Sequence, residues 1–420
     1  MRNKYKWRAL ASCLVGLAVV SSIPSLALAQ ASAAPVGVSA SHTSQMAWAT
    51  LVDTAFARTA AGADAEAARK AGQAQAALAQ RTLPGTFEVD GTLRQDLIGS
   101  GKGYREVEAG VTASLWRRGE RNSLRAISSG LMASAARQND VAKLEVAGNV
   151  RTAWWAYRRA AAEVGVLSDQ VSSNQNLANN IERLVTAGEM ARLDLLQTQA
   201  TNAEVKARLA LAEGTLAQAR ATLEGLVGEI PNNLPIEAPG ALEAANHPSV
   251  LALRAEAESL DKQARLVRLQ AAPAWRVGLD VRAERGLSGD TTLTSTGVRV
   301  SRPFGATPSG GAEATTLQAR ATAALARAEA QKRAIETARN EAVARLAGAR
   351  SAQLSAQIRR DAASEALALT LKGRAEGELS FFEELRARGL LSDAQRADAL
   401  ARVEIGAAVS QFNQTQGLLP

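Results

Sequence analysis

The side chains that could do chemistry in this chain are few and scattered. Among 420 residues there are two histidines, His42 and His247, and a single cysteine, Cys13. Two histidines leave few general bases, and no nucleophile elbow, phosphate loop or metal-ligand spacing accompanies them. With no clustered methionine either, a soft-metal site lacks its makings. His247 has no partner ligands and reads as a loop or cap residue. Gly99-Ser100-Gly101-Lys102-Gly103 has a phosphate-friendly composition, but alternating strands flank it and it reads as a hairpin turn. The acid pair Glu383-Glu384 sits on a helical pattern and reads as a solvated face. The sequence therefore argues against an enzyme and calls for no cofactor. What remains is charge arranged by period. Glu88, Asp90 and Arg94, then Glu106 and Glu108, then Arg276, Asp280, Arg282 and Glu284, and finally Arg299, each stand next to at least one apolar residue.

That alternation identifies the elements that must position the charges. Phe87, Val89 and Leu93 interleave with the first set, and Val107, Ala109, Val111, Ala113 and Leu115 with the second. Val277, Leu279, Val281 and Ala283 interleave with the third, and Val298 and Val300 with Arg299. Period two puts one face of a strand toward apolar surroundings and the other toward water. The expected strands, about 86–98, 104–116, 275–285 and 293–304, form two β-hairpins. Each is about as long as a bilayer crossing needs, and its charged face suits a water-filled lumen. Four strands are too few to close a useful barrel, so a barrel would take several copies of the chain.

Between and after the strands the pattern is helical. From Arg121 to Val185 there is no proline, and at ~1.5 Å per residue the stretch spans on the order of 100 Å. The segment after Gly188 carries two seams. Leu193, Leu196, Ala200, Ala203, Ala207, Ala210, Gly214, Ala217 and Ala221 recur at alternating spacings of three and four. Val205, Leu209, Ala212, Leu216, Ala219, Leu223 and Leu226 do the same around another side. One seam serves a two-stranded coiled coil, whereas two serve a helix with neighbours on both sides, as in a tube. Aromatic residues make up only 4% of the chain, as long helix pairs tolerate and a compact enzyme core does not.

Residues 1–29 read as a secretory signal peptide. Arg2, Lys4, Lys6 and Arg8 make the basic region, Leu14 to Val20 the apolar one, and Ala27-Leu28-Ala29 the cleavage site. Cys13 lies inside it, so the mature chain is expected to have no disulfide or thiol chemistry. Removing those four basic residues from the formal charge of +8 leaves +4, too little to argue for nucleic acid.

The chain is written twice. Pro84, Phe87 and Asp90 are echoed by Pro273, Trp275 and Asp280, and Trp116 by Phe304. Gly188-Glu189 is echoed by Gly377-Glu378, Leu193 by Phe382 and Leu196 by Leu385, all at offsets of 188 to 190 residues. The expected organisation is a first repeat over 30–228, a linker over 229–246 and a second repeat over 247–420. Each repeat reads as helix, strand pair, long helix, tip and helix.

The two tips, from Leu184 to Gln197 and from Leu371 to Leu385, resemble the periplasmic tip motif of the TolC-like outer-membrane efflux factors. The strand ends Ser114-Leu115-Trp116 and Ser301-Arg302-Pro303-Phe304 are similar to that family's strand-to-helix junctions, and the likeness runs through the whole mature chain. It implies a mainly α fold with β, in which a homotrimer forms a β-barrel in the outer membrane and an α-barrel across the periplasm. It also implies a periplasmic adaptor and an inner-membrane pump as partners. By position it makes Asp194 and Glu383, each six residues past a tip glycine, the carboxylates of the periplasmic entrance. The other reading of both is a helix N-terminal acid favoured by the macrodipole. Arg386 stands where some relatives carry a further acid. The stretch from His247-Pro248 through Pro273 is similar to the heavy-metal, Czc-type branch. The competing class is a periplasmic coiled-coil adaptor, which would be exported and Ala-rich but would have no use for two charged strand pairs.

Overall fold

The computed structural model describes residues 38–420, apart from 97, 99, 100, 306 and 307. The signal-peptide segment lies outside the described residues. The order of elements is α1 (Val38–Ala57), α2 (Ala60–Gln80), β1 (Glu88–Gln95), β2 (Arg105–Ser114), α3 (Glu120–Thr186) and α4 (Arg192–Val227). After an irregular stretch and a 3₁₀ turn at Ala244–Asn246 come α5 (Pro248–Ala271), β3 (Arg276–Arg285), β4 (Leu293–Ser301), α6 (Pro308–Ala375) and α7 (Phe381–Thr415). The strands are one to five residues shorter than the alternation suggested; Pro303, which carries no N–H, stands two residues beyond the end of β4 and limits its ladder there. The two expected hairpins are joined: β2 also pairs with β3, giving one antiparallel sheet in the order β1-β2-β3-β4. The first repeat further departs from the common plan because its leading helix is broken at Arg58–Thr59 into α1 and α2.

The two halves are cut by the same local chemistry. α3 ends where Gly188 takes φ 77°, with Gly188 N–H donating to Val185 and Glu189 N–H to Leu184. α6 ends in the same motif at Gly377, φ 81°, with Gly377 N–H on Arg374 and Glu378 N–H on Gly373. A left-handed glycine that ties up the last carbonyls is a strong helix stop, because a Cβ there costs ~1–2 kcal/mol. Between those stops and the strands, α3 has 67 residues and α6 has 68, each on the order of 100 Å long.

α3 is the spine. Near the sheet it packs on α2 and α5, and toward the tips on α4 and α7, while α6 packs on α5 and then α7. The helices thus form a wall, with α2 and α4 along one margin and α6 along the other. Midway along α3 the wall is pinned by a core of Trp48, Val52, Val150, Trp154, Leu223 and Leu234, in which the Trp48 and Trp154 rings meet edge to face at 6.1 Å. Beside it Arg151 donates to Glu237 at 2.6 Å, to Gln414 at 2.6 Å and to the Leu418 carbonyl at 3.1 Å. The 229–246 linker and the C-terminus are thereby fastened to α3.

Candidate functional site

The sheet register sorts side chains by face. Asp90 is opposite Gly110, Gly110 opposite Asp280, and Asp280 opposite Gly297. The next levels read Thr92, Glu108, Arg282, Ser295 and then Arg94, Glu106, Glu284, Leu293. All ten alternating charged residues, from Glu88 to Arg299, therefore lie on one face. The other face carries Val89, Leu93, Val107, Val111, Leu279, Val281, Val298 and Val300, every one of them exposed in the single chain. Phe87 and Trp275 stand exposed at its helix-side margin, and Phe304 beyond β4 is wholly exposed.

The charged face is crowded with ion pairs, and its six acids outnumber its four arginines. Arg299 reaches across β3 to Glu108 at 2.5 Å, with Asp90 and Asp280 at 3.7 and 4.0 Å. Arg276 pairs with Glu88. Arg282 forms ion pairs with Glu106 at 3.2 Å and Glu284 at 2.9 Å, and Arg94 approaches Glu106 at 3.4 Å. Glu106, also hydrogen-bonded by the Tyr104 hydroxyl, is only 1% exposed, a burial that period-two alternation gives no means of foreseeing. Two glycines make the crowding possible. A Cβ at Gly110 would come within 3.0 Å of the Asp90 carboxylate, and one at Gly297 within 2.6 Å of the Asp280 carboxylate. Each acid lies flat over its neighbour's glycine instead of projecting from the wall.

The tips form the other end. Leu193 and Phe382 are exposed at equivalent positions in the first turns of α4 and α7. Gly188 and Gly377 supply the two turns described above, and Glu189 and Glu378 follow them as exposed turn residues. Asp194 is half-buried in the first turn of α4. Glu383 is exposed, but its carboxylate accepts the Ser380 N–H at 2.8 Å while Ser380 Oγ accepts the Glu383 N–H, a complete capping box. Its visible role is thus that of the helix N-terminal acid.

Glu384 corrects the solvated-face reading. It is 2% exposed and held by Arg374 and by Arg388 at 2.7 Å. Burial pulls the Arg388 pKa below the ordinary arginine value. Arg374 also lies 4.8 Å over the Phe381 ring and donates to Met190 Sδ, so it joins the second tip to the first, where Phe381 packs with Leu177 and Ile181. Higher on the same pair of helices Asp398 is buried between Arg360 at 2.5 Å and Arg402 at 2.6 Å. The i,i+4 spacings Glu384–Arg388 and Asp398–Arg402 were legible signals for half of each cluster. Arg374 and Arg360 come from another helix and were not.

The two seams of α4 separate. Val205, Leu209, Ala212 and Leu223 turn onto the chain's own core, the first three against Val164, Leu167 and Val171 of α3. The nine residues from Leu193 to Ala221 in the other seam are all exposed. On α6, Leu325, Val343, Leu354, Ile358 and Leu369 are exposed at intervals that return to one side of a 3.6-residue helix. His247 is the N-cap of α5, its Nδ1 accepting the Ser249 N–H at 3.2 Å. Among the described residues no helix is long and apolar enough to cross a membrane, and no group of three or more His, Cys, Asp or Glu is placed to hold a metal.

Residues 51–229 match the family model described as Outer membrane efflux protein. No curated protein sequence matches the chain. Among solved structures, the outer membrane protein VceC of Vibrio cholerae is similar at 15% identity and TM-score 0.66, covering 89% of this chain and 96% of its own. CusC, described in terms of transmembrane channel formation, shows 15% identity and TM-score 0.67 over 88% and 92% of the two chains. The open-state MtrE outer membrane channel of Neisseria gonorrhoeae shows 18% identity and TM-score 0.66 over 88% of each. At these identities the likeness establishes the fold. Residues 51–229 of the chain thus match an outer membrane efflux protein domain, and nearly its whole described length shares the fold of these solved outer membrane proteins.

Proposed function

We propose that three copies of this chain close into a passive efflux duct, a β-barrel in the outer membrane continued by a helical tunnel into the periplasm. The observation that carries this is the sheet: one face apolar and exposed, the other charged, with β1 and β4 left as unpaired edges. Unpaired strand edges are not tolerated in hydrocarbon, so a sheet of this kind belongs in a closed barrel. Pairing β4 of one copy with β1 of the next, three times over, gives twelve strands. The same rotation sets the open stripe of α6 beside the open seam of the next copy's α4, which supports one geometry for both barrels.

In this reading the ten charged strand residues line the lumen, and Asp194 and Glu383 surround the periplasmic entrance as acidic rings that favour cations. The tips, with exposed Leu193 and Phe382, meet a periplasmic adaptor, and an inner-membrane pump supplies the energy. The cargo is a small molecule or metal cation, and the duct performs no reaction on it. Cell fractionation followed by mass determination of the detergent-solubilised protein tests the reading. A trimer in the outer membrane is expected. A soluble monomer or dimer in the periplasm would overturn it in favour of an adaptor-like coiled-coil protein.

A further inference from the structure

The arginines of the sheet divide by face in an unexpected way. On the charged face Arg94, Arg276, Arg282 and Arg299 all have carboxylate partners. Two further arginines, Arg105 and Arg285, lie on the apolar face, in line with Val107 and Val281, at the end of the sheet away from the helices. They are direct cross-strand partners in the register. Among the described residues neither forms an ion pair, and the strand positions of this face include no acid. The nearby turn carboxylates are engaged elsewhere: Asp96 accepts the Gly103 N–H at 3.2 Å and Asp290 the Leu287 N–H at 2.8 Å. Like charges directly opposite each other destabilise a strand pair, so the arrangement lacks a counter-ion. Arg285 Nε is shielded from solvent and has no hydrogen-bond partner. Gln95, exposed and opposite Arg105 on β1, extends the row with a further donor.

Position supplies the identity of what is missing. From exposed Trp275 at the helix-side margin to Arg285 is ten residues of β3, about 33 Å along the strand and roughly 23 Å of depth at a tilt near 45°. That matches the height of a barrel's apolar band, ~25 Å. The aromatic margin would then sit at one membrane interface and the arginine row at the other, where a lipid-facing arginine costs little. Two adjacent guanidiniums suit a phosphate, which accepts paired N–H bonds from each.

We propose that Gln95, Arg105 and Arg285 form a binding site for the phosphate head group of an anionic lipid in the outer leaflet, one site per protomer on the outside of the barrel. The proposal rests on the trimeric channel reading. The detergent-solubilised trimer is titrated with phosphatidic acid or phosphatidylcholine, and bound lipid is counted by native mass spectrometry, which reports the oligomer in the same spectrum.

Each basic side chain at an anionic membrane surface is worth about a factor of five in binding, so Arg105→Gln with Arg285→Gln should weaken phosphatidic acid about twenty-fivefold. Arg105→Lys with Arg285→Lys should retain most of the affinity, and phosphatidylcholine should bind wild type and variants alike. Equal affinity of wild type and the glutamine variant for phosphatidic acid would overturn the site. Displacement of the lipid by millimolar inorganic phosphate would assign the row to free anions and overturn the lipid. A trimer without lipid preference defeats only this site, whereas a monomer would remove the channel reading and the site with it.

Discussion

Arg151 offers the most direct test of how the wall is held together. Its side chain, 4% exposed, lies against Glu237, which is 7% exposed. Replacing Arg151 with alanine removes the Nε bonds to Glu237 at 3.0 and 3.2 Å, the 2.6 Å bond from Nη2 and the contacts to Gln414 and Leu418. Glu237 would keep only the Ser410 hydroxyl at 2.5 Å, itself tied to Trp155. Leaving one member of a buried pair uncompensated costs ~3–5 kcal/mol. In hydrogen exchange this cost should raise the opening of the C-terminal segment by about two to nearly four powers of ten. The amides to follow are Gly417, bonded to Gln414, Leu418, bonded to Asn413, and Gly240, bonded to the Asn413 side chain. Arg151→Ala combined with Glu237→Leu should recover most of the protection, because the penalty comes from the orphaned charge and not from a missing attraction. An increase below tenfold in the single variant, or no recovery in the double, would refute the assignment of Arg151 as the fastening point.

Three other outcomes are expected. Gly297→Val should push the Asp280 carboxylate off the wall, since even a Cβ would approach it to 2.6 Å, and lower single-channel conductance in planar bilayers while trimers still form. Asp194→Asn with Glu383→Gln should reduce cation preference in the same bilayers toward parity; unchanged selectivity would remove the acidic entrance and leave both residues as helix-end acids. Burial holds His247 below its ordinary pKa of 6.5, so the unfolded chain takes up a proton first as pH falls. Stability should therefore be unaffected above about pH 6.5 and decline below it. His247→Asn, which keeps a capping side chain, should flatten the thermal midpoint between pH 7.5 and 5 relative to wild type.

The sequence by itself determined the features that local periodicity controls. Alternation between Phe87 and Leu115 and between Val277 and Val300 fixed which residues share a strand face. The proline-free run after Arg121 fixed a helix near 100 Å, and Gly188 and Gly377 fixed where the long helices stop, because each signal acts within a few residues of itself. The two seams of α4 were also legible, but only tertiary packing decided that the Val205 side faces α3 and the Ala203 side faces away from its own chain. The pairing of β2 with β3 depends on residues some 170 apart in sequence, and no local pattern encodes it. The same holds for the buried charges. Glu384 looks like any surface acid until Arg374 arrives from α6, and Arg105 looks like any loop-end cation until β3 sets Arg285 beside it. Periodicity reports which side of an element is apolar; the partner of a charge is a property of distance in space, which only the folded chain defines.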